Sequence, residues 1–202
     1  MYTPRLEIYP RRIEANARAV IAQCKARNPE TKVACVSKVM AAHPAVLHAL
    51  KAGGADSIAD SRLQNLERVA REDLGLPTLL LRLPTLSQAA DVVRWADCSL
   101  NSSLATITRL SQAAALAGVR HQVILMVDVG DLREGIWPER AVDVVRAAAR
   151  LPNIDILGLG ANLACYGGVI PSVENMRLLV RVRDDCRAAT GLALDLLSGG
   201  NS

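Results

Sequence analysis

A regular alternation of short apolar stretches and longer amphipathic stretches runs through almost the whole chain. The apolar stretches follow one another at intervals of 20 to 39 residues and begin near Val33, Ser57, Thr78, Cys98, Gln122, Ile154 and Ala193. Each interval carries an amphipathic helix pattern, bounded in several cases by a proline or a glycine. This rhythm predicts parallel strands joined by right-handed helical crossovers. Seven such repeats favour an α/β fold of the (β/α)8 TIM-barrel type, truncated after its seventh strand, over an open sheet.

The N-terminal residues and the absence of a linker refine this prediction. Arg5–Tyr9 predicts a brief strand that ends at Pro10. The residues that follow predict a helix whose apolar face carries Ile13, Ala17, Val20, Ile21 and Cys24. Val33–Lys38 is apolar and rich in valine, which predicts a strand buried on both faces of a parallel sheet. No linker or low-complexity segment divides the 202 residues, so we expect one barrel domain over residues 1–202.

Composition narrows the range of partners. Only 2% of the residues are aromatic and Phe is absent, which argues against a surface that stacks nucleic-acid bases. The net charge of +4 is modest and the arginines are scattered, so a small anionic molecule is a better partner than DNA. The five cysteines lack paired CxxC spacing, which favours reduced thiols in a cytoplasmic protein. Neither a secretory signal nor an apolar run long enough for a membrane span is visible.

Polar residues follow the predicted strands, where barrel enzymes carry their chemistry. The first strand ends on Lys38, whose amine could bond covalently to a carbonyl group. After the seventh strand, Ser198–Ser202 (Ser-Gly-Gly-Asn-Ser) offers backbone N–H groups and two hydroxyls to a phosphate. Taken singly, such a lysine is more often solvated and a Gly-Gly pair is more often a tight turn. An amine and a phosphate site together indicate pyridoxal phosphate.

The strand ends also resemble those of a known family. The matching runs are Val36–Lys38, Ala59–Arg62, Leu100–Ser102, Met126–Gly135, Asn162 with Cys165–Gly168, and Ser198–Ser202. In these runs and in their order the chain resembles the fold-type III pyridoxal-phosphate enzymes, through the alanine racemase N-terminal domain. Within that family it looks most like the alanine/ornithine racemase branch.

The resemblance implies a role for individual residues. Lys38 would hold the cofactor as an internal aldimine, and Arg133 would lie on the side of its phenolic oxygen, although a surface ion pair with Glu134 or Asp131 would also explain this arginine. Asn162 falls where many relatives place a histidine against the pyridine ring, and Met126 falls where some relatives carry a lysine. His43 is better explained as the cap of the helix that Pro44 opens. The phosphate would be bound by Ser198, Gly199, Gly200, Asn201 and Ser202.

The resemblance further implies amino-acid racemisation, with the Lys38 amine removing the α-proton on one face of a small amino-acid substrate. In relatives, a tyrosine from a C-terminal β domain acts on the other face across a homodimer. Tyr166 is the one tyrosine placed to substitute, although packing is its more ordinary role. We expect Ser202 to be a cut, with an eighth strand and that β domain beyond it.

Two other functions remain open. One is a non-catalytic protein of pyridoxal-phosphate homeostasis, as in single-domain relatives. The other is a pyridoxal-phosphate-dependent D-amino-acid aldolase or dehydratase. Relatives of that kind typically use a metal, but no His/Cys pair lies near the seventh strand, so we expect no metal site.

Overall fold

The computed structural model describes residues 4–163 and 168–199, and the chain divides into two compact units, Met1–Arg82 and Leu83–Ser202. Helices and strands alternate in both units, and every strand pairing described within them is parallel. The described residues contain seven of the eight strands of a (β/α)8 barrel, which confirms the predicted α/β class. No helix among residues 4–163 and 168–199 is long and apolar enough to cross a bilayer.

The described part of the first unit has three α-helices and three strands. In chain order they are α1 (Pro10–Lys25), β1 (Ala34–Val36), α2 (Pro44–Ala52), β2 (Ser57–Asp60), α3 (Leu63–Arg71) and β3 (Thr78–Leu80). β2 lies between β1 and β3 and pairs with both. Their outer side packs against the helices through an apolar cluster made of Ala42, Leu47, Ala55, Ile58, Val69 and Leu74. His43 caps α2, as predicted, because its Nδ1 accepts a hydrogen bond from the Ala45 amide at 3.2 Å.

The prediction of a strand at Arg5–Tyr9 is wrong. Residues 4–9 form no strand, and Pro10 opens α1 instead of ending a strand. A proline is well placed in the first turn of a helix, because its missing N–H would have no partner there and its fixed φ suits the helix. The apolar face of α1 is narrower than predicted, because Ala17 and Ile21 are buried whereas Val20 and Cys24 are exposed.

β1 is also less buried than its composition predicts. Cys35 is half-buried and Val36 keeps 46% of its surface exposed. Within its unit β1 pairs with β2 alone, so its other edge has no strand partner in the part of the chain that the structure describes. The apolar run therefore predicts the strand correctly but predicts more burial than β1 has.

Between residues 83 and 199, leaving aside 164–167, the second unit has four α-helices and four strands. In chain order they are α4 (Ala89–Trp95), β4 (Cys98–Asn101), α5 (Leu104–Ala117), β5 (His121–Met126), α6 (Ala141–Ala148), β6 (Ile154–Gly160), α7 (Val173–Thr190) and β7 (Leu196–Ser198). β4, β5, β6 and β7 pair in that order. α7 covers the sheet with Leu179, Val182 and Cys186, which are buried.

A bulge in β6 sets the approach of β7. Val123 pairs with Ile156 and Ile124 pairs with Gly158, so Leu157 is an extra residue on the β6 side. A Cβ on Gly158 would lie 1.8 Å from the carbonyl oxygen of Leu196. Only glycine therefore allows β7 to pair at this register.

Candidate active site

Lys38 starts a short 3-10 turn, Lys38–Met40, directly after β1. The turn is closed by the Met40 amide, which donates to the Ser37 carbonyl at 3.1 Å. The Lys38 side chain is exposed, and no hydrogen bond or ion pair engages its amine among the residues that the structure describes. This amine is therefore available for reaction with a ligand.

The residues that follow Lys38 hold an unusual backbone conformation. Ala41 and Ala42 have φ values of 48° and 54°, in the left-handed region that costs an L-residue about 1–3 kcal/mol. Two contacts hold them there. Ala42 is fully buried in the apolar cluster of its unit, and the Ala41 carbonyl accepts a hydrogen bond from Arg68 Nη1 at 3.0 Å. The Lys38 turn is consequently a fixed feature of the first unit.

A buried carboxylate lies beside this turn. Asp60, at the end of β2, is fully buried and accepts hydrogen bonds from Ser37 Oγ at 2.7 Å, Asn65 Nδ2 at 3.0 Å and the Arg62 amide at 2.9 Å. These bonds join the ends of β1 and β2 to the first turn of α3. The sequence placed the run Ala59–Arg62 at a strand end but did not predict the bond from Ser37 to Asp60. Ser37 is a polar residue inside an apolar run, which was the available signal.

In the second unit, Asp128 shapes the loop after β5. Its Oδ1 accepts hydrogen bonds from the amides of Gly130 at 2.8 Å and Leu132 at 3.2 Å. Gly135 closes the loop with a φ of 141°, and a Cβ there would lie 2.4 Å from the Asp128 amide nitrogen. Arg133 is exposed on this loop. The predicted run from 128 to 135 is thus a closed, internally bonded loop that presents an arginine.

Asn162 ties the same loop to the end of β6. It is half-buried, and its Nδ2 donates a hydrogen bond to Glu134 Oε1, a contact that the sequence did not predict. Met126 is buried at the end of β5, with its Sδ 3.0 Å from the position of a Cβ on Gly160. An apolar contact therefore occupies the place where some relatives carry a lysine.

A second buried polar chain runs along β4 and β5. Asn101 Nδ2 donates to Ser99 Oγ at 2.9 Å, and Ser99 Oγ lies 2.8 Å from His121 Nε2. Burial lowers the pKa of His121 to about 4, although nearby Asp97 and a hydrogen bond to the Ala96 backbone partly oppose the shift. The imidazole is therefore neutral at pH 7, and Ser99 can donate to it. Asn101 Oδ1 is buried without a hydrogen-bond partner among the described residues.

The end of β7 is the segment that the sequence predicts to bind a phosphate. Ser198 is exposed, its carbonyl accepts from the Ala161 amide at 2.7 Å, and its hydroxyl has no partner within residues 4–163 and 168–199. A Cβ on Gly199 would lie 2.6 Å from Met176 Sδ, so a side chain here would displace that methionine. Gly200, Asn201 and Ser202 lie outside the described residues, as does Tyr166.

These groups fit pyridoxal phosphate. The cofactor requires an amine that can bond to its aldehyde and donors that bind its phosphate. Among the described residues, the Lys38 amine and the Ser198 hydroxyl are groups of these two kinds, and neither has a partner there. No group of three His, Cys, Asp or Glu residues suited to a metal ion occurs in the described part of the chain.

The described helices and parallel strands alternate as in α/β proteins of the barrel class. Polar groups, Lys38 among them, lie at the carboxyl ends of the strands. Residues 8–202 match the model of the family described as alanine racemase, N-terminal domain. The chain belongs to this family of fold-type III pyridoxal-phosphate enzymes, as the sequence resemblance indicated.

Two curated relatives are racemases. The chain is 42% identical over 172 residues to the ornithine racemase of Acetoanaerobium sticklandii, a match that covers 85% of this chain and 48% of the relative. It is 32% identical over 202 residues to the lysine racemase of Thermotoga maritima, covering 100% of this chain and 56% of the relative. The chain thus spans about half the length of the curated relatives that it matches.

Solved structures share the fold. The alanine racemase of Clostridium difficile 630 superposes with a TM-score of 0.75 at 19% identity, over 93% of this chain and 52% of that protein. PipY of Synechococcus elongatus PCC7942, solved without PLP, superposes with a TM-score of 0.79 at 21% identity, over 93% of this chain and 88% of that protein. At these identities the likeness establishes the fold alone.

Proposed function

We propose that this chain forms the cofactor-binding part of a pyridoxal-phosphate-dependent amino-acid racemase of the alanine/ornithine type. The observation that carries the proposal is the unengaged Lys38 amine directly after β1, in a chain that is 42% identical to an ornithine racemase. The identities of 42% and 32% to two racemases favour amino-acid racemisation over the other activities considered.

Lys38 has two roles in this proposal. Its amine would hold the cofactor covalently, and when released from the cofactor Nζ would remove or return the α-proton on one face of the substrate. Pyridoxal phosphate, when bound, accepts the electron pair that the departing α-proton leaves behind. The exposed position and unengaged state of the side chain suit both roles, because the amine can move between them without breaking an existing contact.

The resemblance assigns further residues to the binding of the cofactor. Ser198 and the backbone of residues 199–202 would bind the phosphate, and Arg133 would lie on the side of the phenolic oxygen. Asn162 would lie against the ring, where its bond to Glu134 restricts its rotation. Tyr166 is our candidate for the proton donor on the opposite face. We further propose that the full-length protein is a cytoplasmic homodimer that acts on a small amino acid.

Exchange of the α-proton tests this proposal. The full-length protein loaded with pyridoxal phosphate should incorporate deuterium from D₂O at the α-carbon of ornithine or alanine and should convert either enantiomer to the racemate. Lys38→Ala should abolish both reactions, while Lys51→Ala, which removes an exposed lysine of α2, should leave them unchanged.

The remaining functions correspond to other results of the same assay. Binding of the cofactor without any α-proton exchange would indicate a homeostasis protein and would contradict racemisation. Release of an aldehyde from D-threonine would indicate an aldolase. That activity has the support of a 30% identical match over 135 residues to the D-threonine aldolase of an Arthrobacter species.

A further inference from the structure

The proposed reaction gives no role to the carboxylate of Asp60, although burying this group lowers the stability of the fold unless it is compensated. Asp60 is fully buried, and no cation pairs with it among the described residues. Burying a charge is strongly unfavourable unless hydrogen bonds compensate for its lost hydration. Here three donors provide that compensation. A buried carboxylate of this kind can fix the positions of the groups that donate hydrogen bonds to it.

The two oxygens of Asp60 have separate tasks. Oδ1 accepts the Arg62 amide and Asn65 Nδ2, and both of these bonds hold the start of α3. Oδ2 accepts the Ser37 hydroxyl at 2.7 Å, and this bond holds the residue that precedes Lys38. The carboxylate therefore connects the lysine turn to a helix start.

Ser37 is fixed at three points. Its hydroxyl is held by Asp60, its amide donates to the Ala59 carbonyl at 2.9 Å, and its carbonyl accepts the Met40 amide at 3.1 Å. Only 1% of its surface is exposed. Because Ser37 cannot rotate without breaking these bonds, the direction in which the chain leaves it, and hence the Cα–Cβ direction of Lys38, is restrained.

We propose that Asp60 is a positioning residue for Lys38. Through Ser37 Oγ it fixes the Lys38–Met40 turn and so directs the lysine amine towards the cofactor aldehyde. This inference rests on the proposed role of Lys38 as the lysine that holds the cofactor. Asp60 is fully buried and would act through Ser37, accelerating covalent attachment by reducing the range of positions that the amine samples.

Two single substitutions separate positioning from support of the fold. Ser37→Ala and Asn65→Ala each remove one side-chain hydrogen bond to the same buried carboxylate. Only the first frees the lysine turn, whereas the second loosens the start of α3. Ser37→Thr retains the hydroxyl and serves as the conservative rescue. Asp56→Asn is a further control, because Asp56 lies just before the opposite end of β2 and pairs with Lys25 at 2.9 Å.

The experiment measures the rate at which pyridoxal phosphate can be fixed on Lys38 by borohydride, as a function of pH. Melting temperature and hydrogen exchange of residues 38–42 are measured for each variant. We expect Ser37→Ala to slow fixation roughly tenfold, to change its pH profile and to accelerate exchange of residues 38–42. Ser37→Thr should resemble the wild type. Asn65→Ala and Asp56→Asn should lower the melting temperature while leaving the fixation rate and its pH profile unchanged.

Equal slowing in Ser37→Ala and Asn65→Ala, in proportion to their melting temperatures, would overturn the inference and reduce Asp60 to a structural role. Fixation by the wild type on a lysine other than Lys38 would instead refute the proposed function. In that case the hydrogen-exchange comparison still decides whether Asp60 fixes the turn, because it does not depend on the cofactor.

Discussion

At the scale of single residues, His121 makes stability depend on pH. Its pKa is about 4 in the folded chain, chiefly because of burial, against an ordinary value of 6.5. The stability that the neutral ring contributes is therefore complete above pH 6.5 and is lost as the pH falls from 6.5 to 4, because the unfolded chain then binds a proton that the folded chain does not. A shift of this size corresponds to about 3 kcal/mol.

His121→Gln should remove this contribution while leaving a side chain that can bond to Ser99. We expect the free energy of unfolding, measured in urea between pH 7 and pH 4, to fall less steeply for the variant than for the wild type. His48→Gln is the matched control, since His48 lies on the surface opposite Glu72. Parallel curves for the wild type and His121→Gln would contradict the neutral, buried imidazole.

The sequence identified single residues by chemical type more readily than by contact. Lys38 and the runs Ala59–Arg62 and Leu100–Ser102 were singled out because they lie at the ends of predicted strands and match the family in that order. The bonds from Ser37 to Asp60 and from Asn162 to Glu134 could not be predicted, because each joins residues more than twenty positions apart whose side chains meet only when the strands pair. The positive φ values of Ala41 and Ala42 also had no signal, since alanine does not favour that region.

At the scale of secondary-structure elements, Gly158 controls whether β7 can pair with β6. Gly158→Ala would place a methyl group 1.8 Å from the Leu196 carbonyl oxygen. The backbone must move to relieve this clash. We expect a loss of about 3 kcal/mol in the free energy of unfolding, at the upper end of the range for overpacking, together with faster hydrogen exchange at Leu196–Ser198.

Gly118→Ala provides the comparison for this element. Gly118 ends α5 with a φ of 68°, and nothing lies within 4 Å of the position of its Cβ. Its substitution should cost only the backbone strain of about 1–2 kcal/mol and should leave the exchange of β7 unchanged. Equal losses in the free energy of unfolding for Gly158→Ala and Gly118→Ala would show that the register set by the bulge in β6 does not hold β7 in place.

The elements themselves were the most predictable part of the fold. Six strands begin within one residue of the predicted position, because turn residues and apolar runs mark both ends of each repeat. The seventh begins at Leu196 instead of Ala193, since Leu194 has a φ of 43° that no strand can contain. Burial of β1 and the absence of a strand at Arg5–Tyr9 were not predictable, because both depend on which edges find a partner and not on local composition.

At the scale of the whole molecule, the family and the fold follow from sequence and structure alike, while the reaction remains our proposal. The strand-end residues that suggested the family occur in both units, and the match to its model covers residues 8–202. The proposed function depends on the claim that the cofactor is held covalently by Lys38. The chain contains only four lysines, Lys25, Lys32, Lys38 and Lys51, so this claim can be tested by direct mapping.

The identity of the lysine that binds the cofactor is therefore the most direct test of the account. The protein is incubated with pyridoxal phosphate, reduced with borohydride, digested and mapped by mass spectrometry. Lys25 is engaged by Asp56 at 2.9 Å, while Lys32 and Lys51 are exposed and serve as internal controls for non-specific labelling. The account predicts stoichiometric label on the peptide that contains Lys38 and none in Lys38→Ala. Label on Lys25, Lys32 or Lys51 in preference to Lys38 would contradict it.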